Sequence, residues 1–127
     1  MNLASTAGIF AANATWRATD FKPAGRVLIR ALGSTDENQR DIAGMFLVQA
    51  GRQAEPLLYE ALARRENVPI VLTILGDIGD PQAEPTLRQF TTDPDPAIAR
   101  AAHDALRVFA VQRKMPPPSP DANQAVP

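Results

Sequence analysis

The chain has 127 residues, no cysteine, 13 Lys plus Arg against 14 Asp plus Glu, and a formal net charge of −1. That length supports one domain with its own core. The missing thiols exclude disulfides, cysteine-ligated zinc, iron–sulfur clusters and thiol catalysis, and the balanced charge lacks the basic field that draws a protein to nucleic acid. Hydrophobic residues make up 45% but aromatics only 6%, so Ala, Leu, Ile and Val carry the apolar mass, which suits close helix packing better than a β-sandwich.

In chain order, the first expected element is a weakly amphipathic helix over residues 3 to 18, with Ile9, Phe10 and Trp16 as its apolar residues. Ala12-Asn13-Ala14 has the small-residue form of a signal cleavage site, but a basic leader and a continuous apolar run are missing. Residues 1 to 21 are therefore expected to cap the domain, with Trp16 read either as the core of that cap or as an exposed partner anchor. No apolar stretch reaches the length of a membrane span, Val68 to Leu75 being the longest and broken by Thr73.

Ala54-Glu55-Pro56-Leu57-Leu58 then returns 29 residues later as Ala83-Glu84-Pro85-Thr86-Leu87, each copy following a Gly-containing break. Leu28 and Leu32 match Leu58 and Leu62 one unit upstream. A period near thirty is the mark of stacked helical pairs, with first helices starting near Pro23, Gln53 and Gln82. The second helices end on Leu47 to Gly51, Leu75 to Gly79 and Leu106 to Ala110. Ser34, with Glu37 three residues on, is expected to cap the first of these, and Asp93-Pro94-Asp95-Pro96 to open the last. Ile42, Ala43, Phe46, Leu47 and Ala50 form one stripe at helical spacing, as do Ile98, Ala101, Ala102, Ala105, Leu106 and Phe109. Val68, Ile70, Val71, Leu72, Ile74, Leu75 and Ile78 surround most of a helix, which marks it as the centre of the stack. Gly76-Asp77-Ile78-Gly79 closes that helix and offers no helix N-terminus to a phosphate.

The pattern Ala-x-Pro-x-Leu with a following Ala-Leu, a turn with Asp and Pro, a second helix and a closing Gly resembles the short bacterial HEAT-like repeat, including the phycobilisome-lyase-type set. The likeness spans about residues 22 to 112. It implies an all-α fold: a short α-solenoid of about three HEAT-like pairs, over residues 22–51, 52–80 and 81–112, between the cap at 1–21 and a disordered Pro-rich tail at 113–127. Two features depart from the pattern. Arg40 follows the first turn, but Val68 and Ala99 stand at that place in the next units, and Ala110 replaces the last closing Gly. Lys114, Pro117 and Pro120 fit the spacing of a ligand for Pro-binding grooves, against the plainer reading of the tail as a tether.

Chemistry is sparse. His103 is the one histidine, and no spacing gathers metal ligands; paired His-Glu motifs of HEAT-like di-iron hydroxylases are missing. Ser5, Ser34 and Ser119 have no base placed beside them, and His103 is expected on an exposed helix face. No catalytic residue, cofactor or metal is assigned. What remains is the face that the second helices turn away from their buried stripes: Asp41, Met45, Val48 and Gln49, then Thr73, Gly76 and Asp77 as a shallow centre, then Arg100, His103, Asp104 and Arg107 as a mainly basic end. Arg100 and Asp104, four apart, are also placed to pair along their own helix.

Stacked pairs commonly bind along the concave side. The expected function is therefore a non-enzymatic, cytoplasmic, protein-binding adaptor or scaffold, with Met45 and Val48 as anchors and Arg100 and Arg107 meeting carboxylates of a protein or peptide. Nucleic acid and membrane are not expected partners. The chain is read as a monomer or as a weak homo-oligomer through its ends. The alternative is an enzyme or cofactor-handling protein related to the HEAT-like lyases, with its site in the same groove.

Overall fold

Prolines and short polar turns divide the residues described by the computed structural model, 3 to 114, into seven α-helices, with no strand among them. These are α1 (Leu3–Thr19), α2 (Lys22–Ala31), α3 (Glu37–Ala50), α4 (Glu55–Ala63), α5 (Val68–Ile78), α6 (Glu84–Phe90) and α7 (Pro96–Lys114). Single 3-10 turns, Gly51–Ala54 and Pro81–Ala83, lead into α4 and α6. Pro23, Pro56, Pro69, Pro85 and Pro96 each stand in the first two positions of a helix, where a missing N–H costs nothing and a fixed φ favours the first turn. Gly51 and Gly79 end α3 and α5 at φ 60° and 73°, a region that penalises any Cβ. The Pro-rich segment from Met115 onward, with Pro117 and Pro120, lies outside the described residues.

Several boundaries differ from those expected. The cap of α3 is Asp36, not Ser34: Asp36 Oδ1 accepts from the Gln39 amide at 3.1 Å, from the extended backbone that an N-cap requires. Ser34 supports the turn instead, its Oγ accepting from the Asp36 amide at 3.0 Å and donating to Gln39 Oε1 at 2.6 Å. Helices α4 and α6 begin two residues after Gln53 and Gln82, because the 3-10 turns occupy the lead. With Ala110 in place of a closing Gly, α7 runs on to Lys114. Its start is as expected, Asp95 Oδ1 accepting from the Ala97 amide at 2.9 Å.

Helix α2 packs on α3 and α4, α4 on α5, and α6 on α7, while α3, α5 and α7 touch in that order. The core is one cluster from Ile9 in α1 to Phe109 in α7. Helix α5 sits between α3 and α7, with Val68, Val71, Leu72, Ile74 and Leu75 buried and Thr73 exposed, the position its all-round apolar pattern implies. Close approach to α7 depends on Gly76: a Cβ there would lie 2.7 Å from the Ala105 carbonyl oxygen. Gly76 is therefore buried under α7 and not part of an open surface, contrary to its place on the helical wheel.

Helix α1 covers α2 and α3. Trp16 is fully buried, so its role is cap core and not exposed anchor. Gly25 makes room for it, since a Cβ there would come within 3.0 Å of the indole and 2.4 Å of Leu57 Cδ1. Phe10 stays half exposed, edge-on to Phe46 with ring centroids 5.2 Å apart. Polar links tie elements distant in sequence: Gln53 Nε2, in the turn before α4, donates to the Trp16 carbonyl of α1 at 2.9 Å, and Asn67 Nδ2, ahead of α5, to the Ile29 carbonyl of α2 at 3.1 Å. Two-pronged pairs join Arg26 to Glu60, at 2.8 and 3.1 Å, and Arg65 to Asp93, at 2.7 and 3.1 Å.

Candidate binding groove

The apolar stripe of α3 turns Ala43, Phe46 and Leu47 into the core, which leaves the next positions around the helix facing α5 from the outside. Between the two helices lies an open groove of about 390 Å³. Met45 and Val48 of α3 and Ile70 and Ile74 of α5 supply its apolar lining, together with Gly44. Arg40, Asp41, Gln49, Thr73 and Asp77 make its polar margin.

Six of the ten residues expected to form a contact surface are thus brought together: Asp41, Met45, Val48, Gln49, Thr73 and Asp77. Met45 is 48% exposed. Val48 is half-buried against the core, so it is less free an anchor than the wheel implies. Arg100, His103, Asp104 and Arg107 are exposed on α7, but none of them lines the groove. The cause is α5, which stands between α3 and α7. Asp104 pairs with Arg107 and not with Arg100.

Charges in the groove are unevenly satisfied. Arg40 Nη1 donates to the Ser34 carbonyl at 2.8 Å. Asp41 and Asp77 have no hydrogen-bond or ion-pair partner among the described residues. Asp77 is half-buried, and its carboxyl is pushed up by desolvation alone, the direction expected when no cation compensates burial.

A second polar cluster has no counterpart among the expected residues. Glu55, at the start of α4, is 4% exposed, and Asp80, ahead of the second 3-10 turn, is 6% exposed. Burial first, and then the hydrogen bond to Asp80, push the Glu55 carboxyl up to about 7. Tyr59 donates to Glu55 Oε1 at 3.1 Å, and burial pushes the phenol itself up to about 12. Asp80 is held below its usual range, chiefly by the hydrogen bond from Glu55, and its Oδ1 accepts from the Gln82 amide at 3.2 Å. Arg52 Nε forms an ion pair with Asp80 Oδ2 at 3.1 Å, while Glu55 Oε2 and Asp80 Oδ2 are both buried without a hydrogen-bond partner. A proton on Glu55 directed at Asp80 would satisfy both oxygens, in keeping with the opposite shifts of the two carboxyls. Neither carboxyl lines the groove, nor the cavities beside Arg26 and beneath α1. The signal for the pair lay in the repeated Glu-Pro and Asp-Pro steps, which mark helix phase but carry no sign of burial.

Among the described residues no group of three or more His, Asp or Glu side chains is placed to hold a metal, and no helix is long and apolar enough to cross a membrane. No known family, curated protein or solved structure matches the chain.

Proposed function

We propose that the chain is a short α-solenoid of three HEAT-like helical pairs, α2 with α3, α4 with α5 and α6 with α7, acting as a non-enzymatic, cytoplasmic adaptor that holds a protein segment between α3 and α5. The order of contact among α3, α5 and α7 and the repeat period support the solenoid. The observation that carries the function is the apolar lining itself: Met45, Val48, Ile70 and Ile74 lie together in an open groove with polar margins, the pattern of an interface core and its rim.

Met45→Asp is the variant of choice, because Met45 is exposed whereas Val48 contributes to packing. Affinity capture with the purified chain, read by mass spectrometry, is expected to recover one or more proteins with wild type and none of them with Met45→Asp, at unchanged helical circular dichroism. A folded Met45→Asp chain that retains every partner contradicts the groove as the binding surface. Arg100→Glu with Arg107→Glu is expected to leave capture nearly intact, since these side chains do not line the groove.

A further inference from the structure

We infer that the groove between α3 and α5 selects a protein segment that pairs an apolar side chain with a lysine or arginine, the apolar group seated on Met45, Val48, Ile70 and Ile74 and the cation on Asp77. This rests on the adaptor reading and adds the chemistry of the partner. The groove margin has one cation, Arg40, already donating to the Ser34 carbonyl, and two carboxylates, Asp41 and Asp77, with no partner among the described residues. Asp77 stands at the end of α5, half-buried, in the same groove as the exposed Met45.

A purely apolar occupant would take the remaining water from Asp77 and return nothing, and an ionised carboxylate stripped of water without a partner is strongly unfavourable. An acidic occupant would add like-charge repulsion from two sides. A basic group offsets the desolvation through a charge-assisted hydrogen bond, and fixes the register of the segment at one end of the groove. The Asp41 carboxylate, four residues ahead of Met45, extends the same preference along α3 without being needed for it.

The test uses a displayed library of random twelve-residue peptides selected on the full wild-type chain, with the enriched peptides then synthesised and titrated against wild type, Met45→Asp and Asp77→Asn. The expected result is enrichment of sequences that combine Leu, Ile, Met or Phe with Lys or Arg. Their binding should be lost with Met45→Asp, weakened about tenfold or more with Asp77→Asn, as for removal of a hydrogen bond to a charged group, and less sensitive to Asp77→Asn once the basic residue of the peptide is replaced by Met. Enriched peptides that need Met45 but carry no basic preference, or that bind Asp77→Asn as tightly as wild type, overturn the inference and leave the adaptor reading standing. Enrichment that is indifferent to Met45, or no enrichment, overturns both.

Discussion

Glu55 and Asp80 lie buried beside the two 3-10 turns, and the raised carboxyl of Glu55 has a consequence for stability. The folded-state carboxyl of Glu55 lies at about 7 against an ordinary 4.5, so between those values the unfolded chain has released a proton that the folded chain keeps. Stability is therefore expected to fall as pH rises from 4.5 to 7, by up to about 3 kcal/mol, and to level off above. Asp20, Glu60, Asp80 and Asp93 are shifted downward by their hydrogen-bond partners, so their contributions are lost only as pH drops below the ordinary carboxylate range, outside that window. In Glu55→Gln the amide still donates to Asp80 but does not ionise. Urea unfolding at pH 5.5 and 8 should show the larger part of the wild-type difference disappear in this variant, and Glu55→Gln should be the more stable of the two at pH 8. The Asp77 carboxyl, also pushed up by desolvation, contributes with the same sign. A wild-type chain equally stable at both pH values would mean that the folded chain does not keep that proton. Ala54-Glu55-Pro56 and Gly79-Asp80-Pro81 were legible as the phase of a repeat. Their burial was not, because it depends on the turn of one unit pressing on the helix start of another.

Helix α5 packs against α3, α4, α6 and α7. Leu75 is fully buried, and Leu75→Ala is expected to cost about 2–5 kcal/mol in thermal or chemical unfolding; a curve superimposable on wild type would remove α5 from the centre. Gly76→Ala should cost about 1–3 kcal/mol, because the new methyl meets a backbone carbonyl of α7 at 2.7 Å and the helices must part. Gly44→Ala, whose Cβ would meet only Leu32 Cδ2 at an ordinary 3.9 Å, should instead gain about 0.5–1 kcal/mol from helix propensity. Opposite signs at two mid-helix glycines are measurable by parallel melts, and equal effects would contradict the α5–α7 contact. The existence and order of these helices could be read from Pro, Gly and apolar spacing. The side of Gly76 could not, since a wheel drawn for a helix covered nearly all round does not say which neighbour lies where. The end of α7 was missed for a simpler reason: without a Gly to adopt a left-handed conformation, nothing stops the helix at Ala110.

Across the described residues, seven helices form one all-helical body with α1 laid over α2 and α3, and Trp16 seated where Gly25 leaves space. The sequence suggested a single face running over all three second helices. Packing divides it: residues of α3 and α5 share a groove, while α7 turns Arg100, His103, Asp104 and Arg107 to solvent beyond α5. Six of the ten candidate residues were found because α3 has one clean apolar stripe, so its opposite side could be deduced; the remaining four required the width of α5 to be known. The most direct measurement is amide chemical-shift mapping of the isotope-labelled chain titrated with the tightest-binding selected peptide. The largest perturbations are expected between residues 40 and 49 of α3 and between 70 and 77 of α5, with little change on the exposed face of α7 or on α1. Perturbations centred on Arg100 to Arg107, or spread over α1, would contradict the groove as the functional surface of this protein.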